Sequence, residues 1–206
     1  MTEIIDVIGK AHREVGKTEP TVLIRREYAA DAEDVWAACT DPDRLRRWFL
    51  PVSGDLRVGG RYQLEGNAGG EILRCEPPKL LHVTWGMGEE SGSQVRLRLT
   101  EVDAGTTELE LEHTGFADPE FWAKYGPGSV GAGWDLVFLG LEQILAGADL
   151  SEREAWTRTQ EYAEFVRAST QAWAAAHEAA GASAAQARSA AEETLRFFAP
   201  HAKPQS

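Results

Sequence analysis

Apolar residues along this chain change their period several times, and each change marks an element. At the start, Ile4, Ile8, Ala11 and Val15 recur at helical spacing. That spacing predicts an amphipathic docking helix, which Gly16 and Pro20 then interrupt. From Thr21 the period becomes two. Val22, Ile24 and Tyr28 share one face of a strand, with Arg26 in the same phase. Asp31 stands at the N-cap of a helix carrying Val35 and Trp36, and Trp36 is assigned to the core. Asp41 followed by Pro42 repeats the signal for a helix edged by Leu45, Trp48 and Phe49.

Glycines at Gly54, Gly59, Gly60, Gly66, Gly69 and Gly70 then cut the chain into short strands and tight turns. Leu56 with Val58, and Tyr62 with Leu64, read as inward pairs. A further segment starts near Glu71, pauses at Pro77 and Pro78, and resumes with Leu81, Val83 and Trp85 alternating with His82 and Thr84. Such prolines suit a turn or an edge. The clearest hairpin runs from Gln94 to Val102 and from Thr106 to His113. Val95, Leu97, Leu99, Leu109 and Leu111 form one face, while Arg96 and Arg98 oppose Glu108, Glu110 and Glu112 on the other. Opposed charges across strands fix register, and one wet face beside one buried face indicates an antiparallel sheet.

After an aromatic loop with Phe116, Phe121, Trp122 and Tyr125, and a glycine-rich turn through Gly133, comes the longest helix of this body. Trp134, Val137, Phe138, Leu141 and Leu145 line one face, and Leu136, Leu139 and Ile144 widen it. This helix needs cover on more than one side, which a sheet curled around it supplies. From about Asp149 follows a helical hairpin. Ser151 with Glu154, and Ser183 with Gln186, are its capping signatures, with Gly181 between the helices and Pro200 after them. Its stripe of Tyr162, Phe165, Val166, Ser169 and Trp173 must be covered by the body of the chain or by a second copy.

Composition acts mainly by exclusion. The 206 residues fit one domain with appendages: residues 1–20 as the N-terminal helix, 21–146 as the body and 147–206 as the helical hairpin. Twenty-one basic against 33 acidic residues leave a net charge of −12, a poor match for nucleic acid or anionic lipid. No run is long and apolar enough to insert in a membrane and the start lacks a signal-peptide pattern, so a cytoplasmic protein is expected. Cys39 and Cys75 lie among apolar residues without CxxC spacing; buried thiols are the favoured reading over a disulfide.

Metal and cofactor signals are weak. His12, His82, His113, His177 and His201 are scattered, so neither metal nor cofactor is expected. Gly126, Gly128 and Gly131 satisfy G-x-G-x-x-G, but no buried parallel strand precedes them, and a flexible turn is the better reading. Asp135 and Glu142 are taken as exposed carboxylates on the wet edge of the long helix. His113 continues the phase of Leu109 and Leu111. It is the one candidate for catalysis: a neutral imidazole there orients a ligand or acts as general base, unless the strand ends first and the ring bonds backbone. Arg26, if buried, needs a carboxylate from the protein or from a ligand.

The order of elements resembles the START-like helix-grip superfamily, also called SRPBCC or polyketide cyclase-like. REYAADAEDVW from Arg26, DPDRLRRWF from Asp41, GGRY from Gly59, the segment from Glu76 to Trp85, EHTGF from Glu112 and GW from Gly133 are similar to its Hsp-ninety ATPase activator homologue branch. The resemblance spans about Thr21 to Leu145. It implies an α+β helix-grip fold, with a curved antiparallel sheet around a long helix and an elongated cavity that takes lipids, polyketides or other apolar molecules.

Tryptophan-rich composition agrees with such a site, although for any one Trp core filling is the favoured reading. The expected walls are Trp48, Phe49, Tyr62, Leu64, Trp85, Leu97, Leu111, Phe116, Trp134, Phe138 and Leu141, with Arg26 and His113 as polar anchors and the Tyr62 phenol offered to the ligand. The expected partner is a hydrophobic small molecule. Alternatives are a cyclase or dehydratase using His113, a chaperone-activator role, and a homodimer through the C-terminal helices.

Overall fold

Helix α1 (Thr2–Gly9) is shorter than the amphipathic pattern predicts, because the residues after it answer a different demand. Strand β1 (His12–Val15) pairs antiparallel with β2 (Thr21–Tyr28), and the Gly16 amide closes the hairpin on the Thr21 carbonyl at 2.9 Å. An open β2 edge exposes unpaired N–H and C=O groups, and this hairpin pairing overrides a weak local helical period. The molecule, seen in a computed structural model, is described for residues 2–86, 92–115 and 118–202, with side chains from residue 6. Ile4 and Phe116 therefore lie outside the described side chains.

Two short helices follow β2: α2 (Ala32–Thr40) and α3 (Pro42–Trp48). Asp41 caps α3, its side chain accepting from the amides of Asp43 and Arg44 at 2.8 and 3.1 Å. Asp31 occupies the N-cap of α2 but makes no side-chain cap hydrogen bond, and Trp36 is only half-buried against the core rather than inside it. Then come β3 (Val52–Gly54), β4 (Arg61–Leu64), β5 (Gly69–Glu76), β6 (Leu80–Thr84), β7 (Gln94–Asp103) and β8 (Thr106–Thr114). Leu56 and Val58 do not form an inward strand pair. They sit exposed on the turn between β3 and β4, which the Asp55 and Gly60 amides close by bonding the Arg61 and Arg57 carbonyls at 2.8 Å each.

The strands form one curved antiparallel sheet of eight in the order β1-β2-β8-β7-β6-β5-β4-β3. In the β7–β8 hairpin Arg96 faces Glu112 and Arg98 faces Glu110, each as an ion pair. Irregularities in β5 near Arg74 and in β7 near Val102 interrupt the ladder, and such bulges bend strands.

Beyond α4 (Pro119–Tyr125) the glycine-rich stretch is not a loop. Gly126 ends α4 at φ 59°, and Gly128, Gly131 and Gly133 lie inside α5 (Gly128–Leu145). Gly131 has a packing reason: a Cβ there would stand 2.1 Å from Cε2 of Trp173. Trp134, Phe138 and Leu141 of α5 face the sheet core. Its other side packs Leu139 against Val7, Ile8 and Phe165, so α1 and α7 (Gln160–Ala179) cover the back.

Between α5 and α7 lies α6 (Arg153–Trp156), and α8 (Ala184–Phe198) follows. Thr159, not Ser151, caps α7, whereas the Ser183–Gln186 capping box is present and Gly181 stops α7 at φ 115°. The stripe from Tyr162 to Trp173 is buried by the chain's own body, which removes the reason for a second copy to cover it. Among the described residues no helix is long and apolar enough to cross a membrane.

Two ion pairs lock the flank of α5. Asp135, read from the pattern as exposed, is 2% exposed at its side chain; it accepts from Arg13 Nη2 at 2.6 Å, Ser169 Oγ at 2.5 Å and Trp173 Nε1 at 3.0 Å. Two helical turns further on, Glu142 meets the buried Arg26 at 2.5 Å. These bonds tie α5 to β1, β2 and α7. Removing one member of a buried pair leaves the other uncompensated, which costs about 3–5 kcal/mol. Asp135→Ala is therefore expected to lower urea-unfolding stability by about 3 kcal/mol or more in a single transition, and a loss below about 1 kcal/mol would contradict this assignment.

Candidate functional site

The space between α5 and the sheet is not filled. A cavity of about 170 Å³ lies there, walled by α5, the inner faces of β4 to β8 and the α2–α3 pair. A site needs only about 10–15 Å³ by the same measure to hold one water, so the room here is roughly ten times that. The walls follow from strand phase: Tyr62 and Leu64, Val83 and Trp85, Val95 and Leu97, and Leu109 and Leu111 each stand two residues apart and project inward together.

Ten of the thirteen expected ligand-contact residues line this cavity: Trp48, Phe49, Tyr62, Leu64, Trp85, Leu97, Leu111, Trp134, Phe138 and Leu141. Phe116 lies outside the described residues. Arg26 and His113 are absent from the wall. Arg26 is buried against Glu142 and over the Tyr28 ring at 5.2 Å, so the carboxylate it needs comes from the protein. His113 stands behind Trp134, whose indole N–H donates to Nδ1 at 3.2 Å. An indole nitrogen only donates, so Nε2 carries the imidazole proton. That nitrogen lies 3.2 Å from Ser93 Oγ, and the Ser93 hydroxyl bonds the Trp85 carbonyl. Burial pushes His113 down to about 4, so it is neutral at physiological pH.

Other polar handles also turn away from the cavity. Trp48 donates its indole N–H to the Ala38 carbonyl at 2.9 Å, and the Tyr62 phenol donates to the Thr84 carbonyl at 2.8 Å rather than to a ligand. Burial raises the Tyr62 phenol and holds the Cys39 thiol up at about 12. Both cysteines are free thiols on the wall. What remains facing inward is aromatic and aliphatic surface, with Trp85 5.1 Å from Trp134 and 6.4 Å from Tyr62 between ring centres. Among the described residues the wall holds no carboxylate, imidazole, ammonium or guanidinium, and no three potential metal ligands gather anywhere. Such an arrangement can enclose an apolar molecule.

Sequence patterns miss the residue that steadies one wall. Arg153, in α6, donates to the Trp48 carbonyl at 2.6 Å and to the Leu136 carbonyl at 2.8 Å, joining α3 to α5. A single arginine between two helices carries no local signal for that role. The mouth is marked by Leu56, which lines the cavity yet is 43% exposed.

Residues 29–146 match the profile of the family described as Activator of Hsp90 ATPase homolog 1-like protein. None of the curated proteins compared matches the chain. The crystal structure of CalU16 from Micromonospora echinospora is 34% identical, covers 84% of this chain and 99% of its own, and has a TM-score of 0.64. That share exceeds the body of the fold, so the likeness runs on into the flanking segments. DynU16, from the dynemicin biosynthetic locus, is 26% identical over 63% of this chain and 48% of its own, with a TM-score of 0.51. PFC0360w, an HSP90 activator from Plasmodium falciparum, is 24% identical over 62% of this chain and 96% of its own; at a TM-score of 0.53 it shows the fold alone.

Because the folded pKa of His113 lies near 4 and the ordinary value is 6.5, the unfolded chain takes up this proton first. The stability contributed is complete above 6.5 and is lost as pH falls from there towards 4, by about 3 kcal/mol. Urea unfolding across that range is expected to show this extra slope in the parent and not in His113→Leu. Equal slopes would contradict the buried neutral ring.

Proposed function

The chain belongs to the Activator of Hsp90 ATPase homolog 1-like family of the SRPBCC superfamily, and from that premise we propose that it binds an apolar or amphipathic small molecule, lipid- or polyketide-like, between α5 and the sheet. One observation carries the reading: the cavity of about 170 Å³ is walled almost wholly by apolar side chains, with the polar atoms of Trp48, Tyr62 and Trp134 bonded behind it. Filling it removes apolar surface of both wall and guest from water at about 25 cal/mol per Å². The likeness to DynU16, from the dynemicin biosynthetic locus, favours a small organic guest over a macromolecular one.

A cyclase or dehydratase would use the same cavity. Its candidate base, His113, is held behind Trp134 at 3.2 Å from the indole nitrogen, and that position favours binding over proton transfer by this residue. The chaperone-activator reading rests on the description of the family and on the likeness to PFC0360w, and no described residue of this site supports it.

N-Phenylnaphthylamine, a neutral probe that brightens in apolar surroundings, tests the reading. Saturable binding of one equivalent with quenching of tryptophan emission is expected. Leu97→Trp, which adds an indole to the wall, is expected to weaken binding at least tenfold (about 1.4 kcal/mol) without lowering the thermal midpoint. Failure of the parent to bind, or equal binding by a folded Leu97→Trp, would contradict the proposal.

A further inference from the structure

A cavity selects by charge as well as by shape, and this one has a definite electrostatic character. Aromatic rings of Trp48, Phe49, Tyr62, Trp85, Trp134 and Phe138 supply much of its surface. Three of them have their polar atoms engaged behind the wall: Trp48 with Ala38, Tyr62 with Thr84, Trp134 with His113. What they offer a guest is ring faces and edges, which reward flat conjugated systems by stacking and edge-to-face contact.

Among the described residues no cation lines the cavity to balance an anion. Arg26, on the inner face of β2, is paired with Glu142 at 2.5 Å. Arg153, behind α3, gives its two terminal nitrogens to the Trp48 and Leu136 carbonyls. The imidazole nearest the wall lies behind Trp134 with Nδ1 already accepting. An anion entering here leaves water without a counter-charge, a desolvation cost of several kcal/mol that fixed apolar walls cannot return. The net charge of −12 works in the same direction from outside, although salt at 0.15 M screens that effect beyond about 8 Å.

Resting on the proposed ligand-binding function, we infer that the cavity takes uncharged fused-ring or conjugated molecules and rejects carboxylates, sulfonates and phosphates of the same shape.

The test compares N-phenylnaphthylamine with anilinonaphthalene sulfonate, which carries the same ring framework plus one anionic group. At 0.15 M salt the neutral probe is expected to bind at least tenfold tighter, and the ratio should persist at 0.5 M salt, since desolvation rather than long-range repulsion sets it. Thr40→Lys places an ammonium on the wall where α2 ends. It should narrow the ratio at least threefold by raising sulfonate affinity. Equal affinities in the parent, a ratio that vanishes in high salt, or a ratio unmoved by Thr40→Lys would each overturn the inference while leaving the binding function standing. If neither probe binds, the binding function itself fails, and the inference with it.

Discussion

Asp135 is the contact on which the rest of the arrangement depends. A carboxylate with 2% of its side chain exposed must be fully compensated, and Arg13, Ser169 and Trp173 provide the compensation from β1 and α7. Glu142 repeats the constraint through Arg26 on β2. Held along this flank, α5 cannot slide or roll freely against the sheet. The back of the helix is packed by Leu139, Phe165, Val7 and Ile8, and Gly131 lets Trp173 lie directly on its backbone. Firm packing behind the helix and open space in front of it are two consequences of one placement.

The front is kept open from its ends. Trp48 is anchored through Ala38 and Arg153, Trp134 through His113, and Tyr62 through Thr84. Each bond satisfies a buried donor away from the cavity, so the inward surface of the same residue is bare ring. The neutral state of His113 belongs to this scheme, because an imidazolium could not accept the Trp134 N–H at Nδ1. Walls built in this way favour a guest with apolar surface to bury and offer little to one that needs hydrogen bonds.

Much of the fold could be read locally. The β7–β8 hairpin has an apolar face and opposed charge rows within one short segment, and the observed register of Arg96 with Glu112 and Arg98 with Glu110 follows from them. Inward phase likewise placed Tyr62, Leu64, Leu97 and Leu111 in the cavity wall. What escaped depends on partners far away in sequence. Arg13 and Asp135 are 122 residues apart, and nothing near either announces the other. The same distance effect drew Arg26 to Glu142 and Arg153 to Trp48, and buried the α7 stripe within the chain, whereas His12–Val15 became a strand through a nearby hairpin with β2 that its helical spacing masked. Leu56 and Val58 failed for a local reason: alternation suggested a strand where backbone bonds close a turn.

The central claim is that α5 and the sheet stand apart over an apolar hollow. The most direct measurement is a crystal structure under xenon pressure, since xenon enters apolar voids without needing a hydrogen bond. The account predicts xenon density between Trp134, Trp85 and Leu111, with the helix in place and the Asp135 bonds intact. A crystal in which Trp134 and Phe138 pack directly onto Leu97 and Leu111, with no xenon between the layers, would contradict it.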